Sequence, residues 1–126
     1  MNILVTGSAG FIGSHVCKYF VKRGHSVIGI DNFDVNNSNK LKRLNLTNLQ
    51  KNRCFKLHVA DIKNKAILNR IFSSNKFDVV IHLAAKPGII SSVKHINDYY
   101  EVNVLGFLSL LEIMRINNVG KLIFAS

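Results

Sequence analysis

Five short runs of apolar, β-branched or aromatic residues punctuate the chain, and stretches with helical periodicity separate them. The runs are Ile3-Leu4-Val5, Ser26 to Ile30, Cys54 to His58, Asp78 to Leu83 and Lys121 to Ala125. Their apolar residues tend to follow one another instead of alternating with polar ones, as in strands buried on both faces. Between them Ile12, Val16 and Tyr19-Phe20 recur at the i, i+4 and i+7/8 spacing of one helix face. Ile67-Leu68 with Ile71-Phe72 repeats the pattern, as do Leu105, Leu108 and Leu111. Strands alternating with amphipathic helices predict an α/β fold with a parallel sheet covered on both faces. Right-handed crossovers then favour a doubly wound sheet ordered 3-2-1-4-5, here truncated after the fifth strand.

The stretch from Asn32 to Asn52 is the least regular: Asn-rich and polar, with one weak helical stripe through Leu41, Leu44 and Leu49. It reads as a long loop holding a short helix. No internal repeat and no Pro/Gly/Ser-rich linker divides the chain, whose only proline is Pro87. The 126 residues, 48% hydrophobic and 19% charged, therefore read as one globular domain. No apolar run approaches the ~18 residues of a membrane span, and the N-terminus enters a strand pattern without a leader. Cys17 and Cys54 lie among apolar neighbours without metal-ligand spacing, so they read as buried thiols in a reducing, cytoplasmic setting. A net charge of +10 raises nucleic-acid binding as an alternative. The basic residues are nonetheless spread along the chain, and the densest region, Lys40 to Arg53, has no interleaved aromatic platform. A solvated basic face, with neither a nucleic acid nor a membrane as partner, is the expectation.

Candidate chemistry begins at Thr6-Gly7-Ser8-Ala9-Gly10-Phe11-Ile12-Gly13, directly after the first strand and opening the first helix. In a Rossmann unit three glycines at this place have separate tasks. Gly7 permits the tight exit from the strand, Gly10 clears space for a pyrophosphate, and Gly13 permits close packing of helix on sheet. The helix N-terminus then offers free N–H groups and partial positive charge to the diphosphate.

Asp31 ends the second strand, 18 residues after Gly13, where such a unit places a ribose-binding acid. A carboxylate there accepts from the adenosine 2′- and 3′-hydroxyls and repels a 2′-phosphate. No Arg stands beside it in sequence, where Asn32 and Phe33 follow, so NAD is the expected cofactor in preference to NADP. Asp61 follows the third strand and suits either a hydrogen bond to the adenine amine or the N-cap of the helix through Ile67. His58 and His82 read as packed strand residues, and Tyr99 and Tyr100 as packing groups.

Together, Thr6 to His15, Asp31-Asn32-Phe33, Asp61-Ile62, the HLAA run at His82 to Ala85, and Asn103-Val104-Leu105-Gly106 resemble the extended short-chain dehydrogenase/reductase family. Within it, the runs from His82 to Ser92 and from Tyr99 to Glu112 are similar to nucleotide-sugar 4-epimerases, especially the UDP-glucuronate 4-epimerase type. The resemblance implies that Gly7, Gly10, Phe11, Ile12 and Gly13 surround the diphosphate of NAD. It places Asp31 and Asn32 at the adenosine ribose, Asp61 and Ile62 at the adenine, and Leu83, Ala84, Ala85 and Lys86 on the path to the nicotinamide ribose. Asn103 would contact the cofactor from the long helix, and Pro87-Gly88-Ile89 would border the sugar. One departure stands out: where the family commonly carries Gly-Val-Arg, this chain has Gly88-Ile89-Ile90, which weakens the case for an acidic sugar.

The family's acid–base pair, Tyr-x-x-x-Lys, is not among these residues. Four positions after Tyr19, Tyr99 and Tyr100 come Arg23, Asn103 and Val104. Ser126 resembles the first residue of the family's Ser-rich tract. No residue is therefore assigned to catalysis, and none to a metal. The expectation is the NAD-binding N-terminal part of a nucleotide-sugar epimerase acting through a transient 4-keto intermediate, inactive as this chain alone. Its nucleotide-sugar partner would bind only once the chain is completed. The alternatives are a 4,6-dehydratase or reductase of the same branch, and a non-catalytic NAD-binding module. The apolar helix from Val102 to Asn117 is expected to drive self-association.

Overall fold

Ile3, Leu4 and Val5 are all fully buried, although successive strand side chains point to opposite faces. A strand buried on both faces belongs in the middle of a sheet, and β1 (Asn2–Thr6) is the central strand of five. The computed structural model describes residues 1–34, 39–88 and 93–125. Its order is β3-β2-β1-β4-β5, as the sequence predicts. β2 (Ser26–Asp31), β3 (Phe55–Val59), β4 (Val79–His82) and β5 (Leu122–Phe124) complete the sheet, and every pairing is parallel. Thr6 lies level with Ile30 on one side and His82 on the other, which sets the C-terminal ends of the three inner strands along one edge.

Each face of the sheet has its own core. On one, Leu4, Ile30 and Val80 meet α3 (Lys65–Ser73) and α5 (Phe107–Ile116). On the other, Ile3, Val5, Val27 and Ile81 meet α1 (Phe11–Lys22) together with Leu46 and Leu49. Truncating any of the fully buried strand residues to Ala would cost about 2–5 kcal/mol. A short α4 (Ile96–Tyr100) and a π-helical turn (Glu101–Gly106) lead directly into α5. Among the described residues no helix is long and apolar enough to cross a membrane.

Three helical faces differ from the sequence pattern. α1 buries Gly13, Ser14, Cys17 and Val21, whereas Ile12 and Tyr19 are exposed. α5 buries Ser109, Leu110, Ile113 and Met114 and leaves Leu105 and Leu108 outside. In α1, close approach to the sheet and its loops selects small residues, while periodicity counting weights large ones; in α5 the buried face is a large apolar one rotated from the Leu105-Leu108-Leu111 stripe. α2 (Asn39–Leu46) buries Leu46, and Leu49 follows it inward, but Leu41 and Leu44 are exposed. Cys17 is a buried free thiol, pushed up to about 12 by burial, while free Cys54 is half-buried.

His82 is fully enclosed at the end of β4. Its ring lies nearly parallel to those of Phe107 and Phe124, with centroids 5.0 and 5.7 Å away. The Leu83 amide is shared between the Thr6 carbonyl and the Thr6 hydroxyl, the Ala84 amide donates to the same hydroxyl, and that hydroxyl is hydrogen-bonded to His82 Nδ1 at 2.6 Å. Burial pushes the His82 pKa down to about 4. The unfolded chain then binds this proton more readily, so the contribution is complete above about pH 6.5 and declines as pH falls toward 4. We expect unfolding free energy, measured by urea titration, to fall across that window by on the order of 3 kcal/mol from this residue. His82→Gln should flatten the difference, and an unchanged slope would refute the assignment.

Candidate functional site

The strand-to-helix turn after β1 needs its glycines for different reasons. Gly7 has φ +70°, and a Cβ there would press on the Leu83–Ala84 backbone at 2.8–2.9 Å. A Cβ on Gly13 would strike the Gly7 carbonyl, so this glycine brings the helix onto the turn itself and not merely onto the sheet. Gly10 is different: its Cβ would meet only the Gly7 carbonyl, at 3.2 Å, with no other heavy atom within 4 Å. Of the three, this glycine is the one least demanded by the protein's own packing, although the Gly7 carbonyl would have to give by a few tenths of an ångström to admit a Cβ. Gly10 is also the N-cap of α1 and offers no side-chain cap. The first-turn N–H groups, which a helix cannot satisfy internally, border an open cleft at Gly10, Phe11, Ile12 and Gly13.

Asp31 lies at the end of β2 with its side chain 3% exposed. Oδ2 accepts from the Ala9 amide at 3.0 Å and Oδ1 from the Phe33 amide at 2.9 Å. Oδ1 also meets Lys42 Nζ at 2.8 Å. The residues next to Asp31 in sequence give no sign of this lysine, which α2 brings back across the cleft from 11 positions away. One turn further along α2, the Asn45 amide donates to the Ala9 carbonyl at 3.0 Å. The stretch that resembles a loop in sequence thus clamps the glycine turn from outside.

Asp61 and Asn32 stand together: Asn32 Nδ2 donates to Asp61 Oδ2 at 3.3 Å, and the Lys63 amide donates to Asp61 Oδ1 at 2.8 Å. The N-cap of α3 is Asn64, whose side chain accepts from the Ile67 amide, not Asp61. One carboxylate lone pair thus secures the loop while Asp61 remains on the cleft wall. Ile62 is buried beneath it, against Gly106, where a Cβ would approach the Ile62 side chain to 2.9 Å.

Beyond β4, Leu83, Ala84, Ala85 and Lys86 form the opposite end of the cleft. Asn103, in the π-helical turn, accepts from the Lys86 amide at 2.8 Å and donates to its carbonyl at 3.1 Å. Lys86 reaches Asp98 at 3.2 Å and Asp34 at 3.7 Å. The Asp98 carboxylate, aided by Asp34, holds its ammonium above the usual lysine pKa. Tyr99 donates its hydroxyl to the Pro87 carbonyl at 2.7 Å, whereas Tyr100 is exposed and does not pack as the sequence suggests. His58 sits half-buried in β3, its pKa lowered by burial and by nearby Lys56. Ile89, Ile90 and Ser126 lie outside the described residues.

Thirteen of the fourteen positions singled out in the sequence line one cleft of about 670 Å³, and the fourteenth, Asn103, braces it through Lys86. Lys42, Asn45 and Val102 also line it, and no sequence motif marked them. The cleft runs from a buried carboxylate, past a helix N-terminus with an unobstructed backbone, to small apolar residues. That succession fits the ribose, diphosphate and nicotinamide side of NAD. Among the described residues no group of three or more His, Cys, Asp or Glu side chains gathers to hold a metal ion.

Known proteins share both sequence and architecture. Residues 3–126 match the family described as the NAD dependent epimerase/dehydratase family. The chain is 41% identical over 123 residues to UDP-glucuronate 4-epimerase of Thermodesulfobacterium geofontis, covering 98% of this chain and 38% of that protein. Among solved structures it is similar to UDP-glucuronic acid 4-epimerase from Bacillus cereus in complex with UDP-glucuronic acid and NAD. That similarity has a TM-score of 0.89 at 38% identity, over 98% of this chain and 39% of that one. UDP-glucose 4-epimerase from Thermotoga maritima with UDP-glucose gives 0.86 at 37% identity, over 100% and 38%. The chain therefore spans little more than a third of the length of the relatives it matches. A family match across almost every residue, on a sheet of the expected order, makes this chain a member of the NAD dependent epimerase/dehydratase family.

Proposed function

We propose that residues 1–126 form one NAD-binding domain, the cofactor-holding portion of a UDP-sugar 4-epimerase of the UDP-glucuronate 4-epimerase type. The observation that carries this reading is Gly10, the least crowded of the three turn glycines, whose Cβ would touch one carbonyl oxygen at 3.2 Å, at an uncapped helix start that borders the cleft. Bound NAD would supply the hydride-accepting and hydride-returning chemistry. The chain's own part is to hold and orient. The N–H groups at Phe11 to Gly13 offset diphosphate charge, with the Gly10 amide already given to the Gly7 carbonyl at 3.1 Å, while Asp31 and Asn32 face the adenosine ribose and Asp61 with Ile62 borders the adenine. Leu83 to Lys86 shape the nicotinamide end, and Asn103 keeps the Lys86 backbone in place. None of the three tyrosines has a lysine four residues on, so we assign none of them to moving the sugar hydroxyl proton. We also assign it to a reducing, cytoplasmic setting, in keeping with its two free thiols.

The named relatives supply the substrate class, since they are 4-epimerases of UDP-sugars. The outer side of the helical stretch 102–117 supports the partner reading. Val104, Leu105, Leu108 and Ile116 are 39–54% exposed, and Ile123 and Phe124 of β5 are exposed as well. So much exposed apolar surface favours association with a second copy.

Three outcomes follow from this reading. Calorimetry should show that Gly10→Val binds NAD at least about a hundredfold more weakly, about 2.7 kcal/mol, while circular dichroism shows it folded. Full affinity in the folded variant would sink the cofactor reading. In a coupled assay with saturating NAD, the 126-residue chain should turn over neither UDP-glucuronate nor UDP-glucose. General acid–base help is worth roughly 10²–10⁴-fold, so a rate near the ordinary ~1 s⁻¹ would show that other residues move the proton. Sedimentation velocity should show concentration-dependent association at micromolar protein, and a monomer throughout would contradict the helix assignment.

A further inference from the structure

A carboxylate at the end of β2 rejects a 2′-phosphate only to the extent that its charge is uncompensated. Here Lys42 Nζ lies 2.8 Å from Asp31 Oδ1, with side chains 13% and 3% exposed. Two backbone amides, of Ala9 and Phe33, occupy further acceptor positions on the same carboxylate. An ionised carboxylate offers about four such positions, so three are filled, and one Asp31 cannot accept both adenosine ribose hydroxyls while all three donors remain. The two amides are fixed in the turn and the strand exit. Lys42 is the one donor on a rotatable side chain, and it lines the cleft together with Asp31. Next to it in sequence, the Arg43 guanidinium lies 5.4 Å from the centroid of the Phe33 ring. Lys42 is therefore the cation in contact with the buried carboxylate, while Arg43 lies over the neighbouring Phe33 ring and Asp34 and Asp61 line the same cleft.

We infer that Lys42 is a specificity-determining residue of the adenosine-ribose subsite. By neutralising Asp31 it narrows the preference for a 2′-hydroxyl over a 2′-phosphate, and it is the group that either substituent meets. The inference rests on the NAD-binding reading above and adds to it how sharply the cofactor is selected. An ammonium is a point charge that accommodates either a hydroxyl oxygen or a phosphate, whereas an isolated carboxylate accommodates only the former. Removing the lysine should therefore sharpen the choice of NAD, and removing the acid while keeping the lysine should reverse it.

The test measures NAD and NADP affinities by calorimetry on the protein, on Lys42→Met, on Asp31→Asn and on the double variant. Met keeps the apolar stem of the lysine and removes its charge. Each value is the ratio of two ligands on the same sample, so any loss of folded protein cancels. We expect Lys42→Met to raise the NAD-over-NADP ratio by about tenfold or more, that is, about 1.4 kcal/mol. Asp31→Asn should lower the ratio by at least as much, and adding Lys42→Met to it should raise the ratio again. In Asp31→Asn, NADP affinity should also fall more steeply with salt than NAD affinity. If the protein binds NAD but Lys42→Met leaves the ratio unchanged in both backgrounds, Lys42 only supports the fold and the inference is wrong. If the protein binds neither dinucleotide, the cofactor reading fails with it.

Discussion

Three donors converge on the Asp31 carboxylate, and each belongs to a different part of the architecture. The Ala9 amide belongs to the glycine turn, the Phe33 amide to the exit from β2, and Lys42 to α2. Hydrogen bonds to a charged acceptor are worth about 1.5–3 kcal/mol each, and a buried charge deprived of its partners costs several. Folding this chain therefore requires the cofactor end of the sheet to assemble as a unit. The turn cannot drift from β2 without stranding a carboxylate, and α2 cannot detach without leaving it uncompensated. The residue expected to select the ligand also holds together the wall against which the ligand would lie.

At the opposite end of the cleft the same economy appears in neutral form. Thr6 Oγ1 gathers the amides of Leu83 and Ala84 as the chain leaves β4, and Asn103 closes both backbone groups of Lys86. The π-helical turn carrying Asn103 runs close to the loop after β3, because Gly106 leaves room only for Ile62. Such a turn shifts the helical register locally, and here the shift coincides with the residue that fixes the cleft. Lys86, drawn between Asp34 and Asp98, links the exits of β2 and β4 through their side chains. Both halves of the doubly wound sheet are thus tied across the switch point between β1 and β4, where open α/β sheets bind ligands.

The strands, their order and most of the cleft were legible because their signals are local and strong. Continuous apolar runs reveal central strands, and the spacing of Gly7, Gly10, Gly13 and Asp31 is set by the geometry of a single βαβ unit. The helical faces were less legible. In α1 the residues against the sheet are Gly13, Ser14 and Cys17, small because the backbones lie close, so the larger Ile12 and Tyr19 misled the periodicity. Lys42 and Asn45 were invisible for another reason. They act on Asp31 and Ala9 from 11 and 36 residues away, and their stretch shows only a weak helical pattern. A side-chain ion pair formed by tertiary folding leaves no periodic trace. Of the two roles the sequence leaves open for Asp61, the N-cap falls to Asn64: both residue types cap well, and only the path of the loop chooses between them.

Phe11 and Ile12 are 76% and 62% exposed, an odd position for large apolar side chains on an otherwise basic protein. Both sit in the first turn of α1, beside the N–H groups that face the cleft. Polar side chains at these places would hydrogen-bond the free amides or draw water to them, weakening the helix terminus as an anion site. Apolar ones do neither. The absence of a side-chain cap at Gly10 acts in the same direction. A helix start that looks poorly finished as a piece of folding thus borders the cleft at three adjacent residues, Gly10, Phe11 and Ile12, none of which carries a side chain able to cap it.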